Sequence, residues 1–193
     1  MIREWSRVGY AVSEFVHAYM KEYVKEGSIC IDATAGNGKD TLYLTKLVGE
    51  QGHVIAFDIQ ERAIENTKKK LEGQGMSGRA EVILDSHIHM AAYAKENTVD
   101  CIVFNLGYLP GGDHAKATHA KSSIEAMQVA LNLLKKNGLL SVTIYSGGDS
   151  GFEEKDAVLS WLKQLDQKKY LVLVTEYYNR QNHPPIPVRV IKL

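Results

Sequence analysis

Hydrophobic positions along the chain switch between two periods. Near the N-terminus, Val8, Val12, Phe15, Val16, Tyr19, Met20, Tyr23 and Val24 recur at helical spacing. That spacing predicts an amphipathic helix over 8–26, ended by Gly27 and packed on or near whatever site the rest of the chain builds. Short apolar runs then alternate with helical stretches. The runs predict strands at Ser28–Ala33, His53–Asp58, Ala80–Leu84, Val99–Phe104 and Gly138–Ile144. Between them the helical period fits Asp40–Val48, Gln60–Leu71, His87–Ala94, Ser122–Lys136 and Glu153–Leu165. Strands alternating with helices make right-handed βαβ units, hence a parallel sheet covered on both faces.

The tail breaks the alternation. Tyr170–Tyr178 and Ile186–Lys192 both read as strands, with only Asn179-Arg180-Gln181-Asn182-His183-Pro184-Pro185 between them. A connection that short forces an antiparallel pair, because a parallel return needs a longer crossover. The expected fold is therefore α/β: a seven-stranded, mostly parallel, Rossmann-like sheet with an antiparallel C-terminal hairpin and helices on both faces. That is the class I methyltransferase arrangement rather than a plain dinucleotide-binding domain. Residues 1–193 suffice for a single domain.

Composition narrows the picture. Hydrophobic residues make up 45% and charged residues 24%, ordinary for a globular chain. No apolar run reaches membrane-spanning length, and the first residues lack a signal peptide's apolar stretch, so a cytoplasmic protein without a membrane partner is expected. Cys30 and Cys101 fall in apolar strands and read as small buried hydrophobes; no metal site is expected. Lys+Arg and Asp+Glu balance at 23 each, which argues against non-specific grip on long nucleic acid. From 167 to 193, however, Lys168, Lys169, Arg180, Arg189 and Lys192 face only Glu176. They form either a local phosphate-binding patch or a solvated face. Tyr177-Tyr178 suits either a homodimer interface or a strand's outer face.

The stretch Ile29-Cys30-Ile31-Asp32-Ala33-Thr34-Ala35-Gly36-Asn37-Gly38-Lys39-Asp40-Thr41 is a buried strand, a glycine-rich turn and a helix that Asp40 or Thr41 could cap. Gly36 and Gly38 permit close backbone approach to a ligand. A P-loop would need a Lys-Ser/Thr pair, and Asp40 follows Lys39. A dinucleotide turn wants a third glycine where Thr41 stands. Carboxylates at both ends, Asp32 and Asp40, would repel pyrophosphate and suit a cationic amino-acid end, as in S-adenosylmethionine. Asp58 closes the second strand, 20 residues after Gly38, where a carboxylate can accept from both ribose hydroxyls. Gln60 follows it. Asp85-Ser86-His87 ends the third strand, where a carboxylate or backbone N–H can read an adenine edge. Ala33, Asn37 and these residues complete the candidate cofactor set.

Methyl transfer from a sulfonium mainly requires alignment of the nucleophile and departure of its proton. The fourth strand runs into Asn105-Leu106-Gly107-Tyr108-Leu109-Pro110-Gly111-Gly112-Asp113. The Asn105 amide oxygen can accept from an amine, the Leu106 carbonyl can take a second N–H, and Tyr108 offers a stacking ring. Asn105 and Tyr108 are therefore the candidate catalytic pair. The run resembles the Asn-Pro-Pro-Tyr loop of amino-methylating enzymes, with Leu106-Gly107 replacing the prolines. His119, Asp149, Arg180 and His183 join Leu106 and Gly107 as substrate-side candidates. Glu153 and Glu154 suit the helix dipole, yet in the loop after the fifth strand Asp149 or Glu153 could attract a cationic amine.

The motifs at 32–41, 57–60 (Phe-Asp-Ile-Gln), 85–87, 105–113 and 182–185 (Asn-His-Pro-Pro) together resemble the bacterial putative rRNA methylase family, whose YtqB-like (MnmM) members are tRNA methyltransferases. The resemblance implies S-adenosylmethionine as cofactor and the tRNA anticodon arm as partner. It further implies methylation of the 5-aminomethyl group of (2-thio)uridine at the wobble position. Other readings are a methyltransferase acting on rRNA or a small molecule, and a module that binds the cofactor without chemistry; a dehydrogenase would require NAD binding.

Overall fold

The computed structural model describes residues 11–107, 120–146 and 151–193. Helix α1 (Val12–Tyr23) precedes β1 (Ile29–Asp32), α2 (Lys39–Val48), β2 (His53–Asp58) and α3 (Glu61–Glu72). Then come β3 (Ala80–Leu84), a 3-10 segment (His87–Ala92), β4 (Val99–Leu106), α4 (Ala120–Leu133), β5 (Leu134–Ile144), α5 (Gly151–Lys163), β6 (Tyr170–Val174) and β7 (Ile186–Lys192). The strands form one seven-stranded sheet in the order β3-β2-β1-β4-β5-β7-β6. β7 runs antiparallel to both its neighbours, and the other neighbouring pairs are parallel.

Alternation along the strands sends side chains to two cores. Ile31, Phe57, Ile102, Phe104, Leu140 and Val142 pack with α4 and α5. On the other face Cys30, Val54, Cys101, Val103 and Leu139 lie under Val16, Tyr19 and Met20 of α1 and Leu44 and Val48 of α2. Central β4 is buried along almost its whole length, as a parallel strand covered on both faces must be. Cys30 and Cys101 are register partners in β1 and β4 and are free thiols. Burial raises both above the ordinary range and keeps them protonated.

Several expectations change. The helix predicted at Ser122–Lys136 ends at Leu133, and Leu134, Lys135 and Lys136 open β5. The helix predicted at His87–Ala94 is a short 3-10 segment. β6 stops at Val174, so Tyr177 and Tyr178 belong to the β6–β7 loop and not to a strand face; Tyr178 is 97% exposed. The basic residues of the tail also do not gather. Lys168 and Lys169 precede β6, at the amino end of the parallel strands. Lys192 pairs with Tyr170 at that same end, donating to the Leu131 carbonyl in the last turn of α4, to the Leu134 carbonyl at the start of β5 and to Asn97. There it satisfies carbonyls that the helix leaves open. The Arg189 guanidinium lies over the Tyr19 ring beneath α1. Arg180 alone of the five sits in the loop at the carboxyl end. Among the described residues, no helix is long and apolar enough to cross a membrane.

Candidate active site

Parallel strands leave their carboxyl ends on one edge, so Asp32, Asp58, Asp85 and Asn105 converge there from β1, β2, the end of β3, and β4. The turn after β1 is braced from two sides. Gly36 N–H donates to Asp58 Oδ2 (2.9 Å), and Gln60 N–H donates to Oδ1 (2.9 Å). The carboxylate is thereby fixed at the rim, with lone pairs remaining for ribose hydroxyls. From α3, Asn66 Nδ2 donates to Asn37 Oδ1 (3.0 Å) and the Thr67 hydroxyl donates to the Gly36 carbonyl (3.3 Å).

Gly38 has φ 69°, and a Cβ there would stand 2.9 Å from the Thr67 Cα. Its glycine therefore serves the close approach of α2 to α3. Gly38 is also the residue before the first turn of α2, so Asp40 and Thr41 lie inside the helix and neither caps it.

The two acids of the turn have different duties. Asp32 is fully buried and accepts from Thr34 N–H (3.2 Å) and the Thr41 hydroxyl (2.6 Å). Burial first, then the charge of Asp40, pushes its carboxyl up to about 7. Asp32 therefore works beneath the turn, and of the two only Asp40 reaches the edge. Asp40 Oδ2 accepts from Asn105 Nδ2 (2.7 Å), and its Oδ1 is 2.6 Å from His17 Nε2. The Asn105 N–H donates to the Thr34 hydroxyl (2.7 Å). A carboxylate so close requires the NH2 face of the amide, which leaves the Asn105 Oδ1 as an acceptor.

Leu106 is fully buried and its carbonyl accepts the Tyr145 N–H (3.0 Å), so it offers substrate at most one remaining lone pair. Gly107 has φ 149°, and a Cβ would meet the Tyr145 Cβ at 3.1 Å. At the end of β3, Asp85 Oδ1 accepts from Ser86 N–H (2.7 Å) and lies 2.8 Å from His89 Nδ1. The His89 ring and the Ser86 N–H hold the Asp85 carboxyl below its ordinary value. Ser86 turns its hydroxyl back onto Ile88 N–H. His87 Nδ1 sits 3.1 Å from the Ala33 carbonyl, and burial lowers its pKa, so the neutral ring ties the third strand's end to the first. The Ser86 N–H and His87 Nδ1 are thus engaged within the protein, while the Ser86 O–H and His87 Nε2 keep their hydrogen-bonding capacity. Ile59, 51% exposed between Asp58 and Gln60, supplies an apolar surface for a flat ring. An acid rim, an apolar shelf and crowded carboxylates fit an adenosine with a cationic tail better than a pyrophosphate.

A family model described as "Putative rRNA methylase" matches residues 54–191. The chain belongs to this family. A putative rRNA-methylase from Clostridium thermocellum is 46% identical, with a TM-score of 0.92 over 95% of this chain and 98% of that one. A putative methyltransferase from Streptococcus mutans, solved in complex with SAH, is 36% identical, with a TM-score of 0.85 over 94% and 97% of the two chains. The chloroplastic tRNA (mnm(5)s(2)U34)-methyltransferase of Arabidopsis thaliana is 34% identical over 187 residues, 92% of this chain and 67% of that protein. The fold is thus that of a class I methyltransferase, and the protein is a methyltransferase.

Within this methylase, the β6–β7 loop reaches the same edge because Ile186 of β7 pairs with Ile144 at the end of β5. Arg180 is exposed in it, and the His183 ring stands edge-on to Phe152 of α5 at 5.3 Å. Tyr108, His119 and Asp149 lie outside the described residues. Two residues of the edge have no signal in the sequence. His17 stands in the helix that the sequence predicts to pack near the site, and Tyr145 follows β5. Burial, then the Asp40 charge, raises the Tyr145 phenol above its ordinary value.

Proposed function

We propose that this chain is an S-adenosylmethionine-dependent tRNA methyltransferase. It N-methylates the 5-aminomethyl group of (2-thio)uridine at the wobble position, giving the 5-methylaminomethyl form. The observation that carries the reading is the Asn105 carboxamide at the end of β4, its NH2 held by Asp40 and its oxygen left to receive an amine N–H. The Arabidopsis relative's name supports the tRNA substrate, and SAH in the Streptococcus mutans structure supports the donor.

The cofactor is S-adenosylmethionine, which supplies an activated methyl group on a sulfonium. Asp58 binds the ribose, Ile59 backs the adenine, and Asp40 presents a negative field to the amino-acid end. Asn105 Oδ1 accepts one N–H of the neutral amine and points its lone pair at the methyl carbon. The N–C bond forms as the C–S bond breaks, the electron pair staying on sulfur. The methylated ammonium then releases its proton to water. A wobble base in a single-stranded loop can be splayed out to reach this edge, so the anticodon arm is the partner. Residues 1–193 act as one domain in this reading.

The test is nucleoside mass spectrometry of tRNA, rRNA and an isolated anticodon stem-loop after incubation with protein and donor. A gain of one methylene on the aminomethyl nucleoside of tRNA and of the stem-loop is expected. Label on rRNA alone, or on none of the three, overturns the reading.

A further inference from the structure

We propose that His17 of α1 is a positioning residue for the methyl acceptor, acting through Asp40 to fix which face of the Asn105 carboxamide meets the amine. This rests on the proposed function for its consequence in turnover, though not for its geometry.

Three side chains from three elements form one line. His17 Nε2 is 2.6 Å from Asp40 Oδ1, and Asp40 Oδ2 is 2.7 Å from Asn105 Nδ2. Each oxygen of the carboxylate has one of these partners. His17 is itself held: its ring stacks on Tyr43 at 3.7 Å and 5° between planes, and its carbonyl accepts the Tyr43 hydroxyl at 2.8 Å. The imidazole therefore cannot swing away without breaking a stacked pair.

The arrangement answers a problem specific to amine methylation. A carboxylate facing an alkylammonium directly would stabilise the charged form, which has no lone pair to attack with. Here the two Asp40 oxygens are turned to His17 and Asn105, and the amine meets a neutral amide oxygen instead. Without the His17 donor, the Asp40 carboxylate is free to rotate about its terminal torsion. It can then release the Asn105 NH2, letting the amide flip, or take the ammonium itself. Either outcome misplaces the nucleophile.

Two variants separate the hydrogen bond from the packing. His17→Phe keeps a ring on Tyr43 and deletes the N–H; His17→Gln keeps an N–H donor at similar reach and deletes the ring. The Phe variant is expected to lose about a hundredfold in kcat, the size of a small misplacement of reacting groups. The Gln variant should recover most of that, and in both the affinity for S-adenosylhomocysteine by calorimetry should change far less than kcat changes in the Phe variant. A merely structural His17 reverses the order: Phe active and stable, Gln impaired. A substrate-independent readout is the side-chain NH2 pair of Asn105 in a nitrogen–proton correlation spectrum, assigned by its loss in Asn105→Ser. It should shift in His17→Phe and return toward its wild-type position in His17→Gln. An unmoved Asn105 resonance in His17→Phe, or full kcat in that variant, overturns the proposal. If wild-type protein fails on tRNA while the resonance behaves as expected, the substrate reading fails and the positioning role stands.

Discussion

The Thr41 hydroxyl donates to Asp32 Oδ2 at 2.6 Å in a position closed to solvent, so the acid under the glycine turn is held by a side chain in the first turn of α2. Burial, and next the Asp40 charge, lift this carboxyl from 3.8 to about 7. An acid raised in the folded state destabilises the fold wherever the unfolded chain has released its proton and the folded chain has not. Stability from this group therefore falls as pH rises through the interval between those two values, and levels off above it. Asp32→Asn keeps an oxygen for the Thr34 N–H and cannot titrate. Relative to wild type, the variant should gain thermal stability between about pH 4 and about pH 8. Melting curves whose separation is the same at both ends would show that Asp32 does not carry the shift.

Asn105→Asp tests the amide by the smallest change of shape. It sets a carboxyl oxygen where an NH2 now lies 2.7 Å from Asp40 Oδ2. Two acids at that distance share one proton, and the remaining charge faces the incoming ammonium and favours its protonated form. Turnover on tRNA is expected to fall about a hundredfold. Affinity for S-adenosylhomocysteine, measured by calorimetry, should change far less, because the Asp58 and Ile59 side of the turn is untouched. Unaltered kcat in Asn105→Asp would remove the amide from the mechanism.

Which parts were legible in the sequence follows from what each signal depends on. β2, β3 and β7 match their expected limits because a buried strand bounded by polar or glycine residues is a local pattern. β6 does not: Thr175-Glu176-Tyr177-Tyr178 continues a strand-like run, but β7 begins only at Ile186, and after Thr175 N–H to the Pro187 carbonyl the Tyr177 carbonyl accepts the Arg180 N–H in a turn instead of pairing with β7. The basic patch dissolves for a similar reason, since strand direction sends Lys168, Lys169 and Lys192 to one end of the sheet and Arg180 to the other. At the site, Asp58 and Asn105 are legible because each ends a strand. His17 is not, because its partner Asp40 is 23 residues away and a histidine on an amphipathic helix has no pattern that separates it from a solvated one.

Gly38 is required by packing, and this is separable from cofactor binding. Gly38→Ala places a Cβ 2.9 Å from a backbone atom of α3 while φ stays at 69°. Both strain and crowding act, and the fold should lose about 1–3 kcal/mol. Denaturant unfolding measures it. Because the obstacle is the Thr67 Cα, Thr67→Ala should not restore stability fully. Full restoration would place the conflict at the Thr67 side chain alone.

The split of the basic residues makes a prediction about RNA binding that the sequence alone leaves open. Five cations in the last stretch of chain look like one phosphate patch, yet Lys192 is committed to the end of α4 and Arg189 to the Tyr19 ring. Lys168 and Lys169 stand at the opposite end of the sheet from Asn105. An RNA whose wobble base enters at the carboxyl edge meets Arg180 and leaves that pair in solvent. Arg180→Ala should weaken tRNA affinity and lower the slope of log K against log salt by about one, as loss of a single phosphate contact does. The double substitution Lys168→Ala with Lys169→Ala should leave both quantities at wild-type values. Filter binding across a salt series measures the two together. The opposite result would mean that tRNA approaches along the lower end of the sheet, away from Asn105, and the assignment of the transfer edge would fall with it.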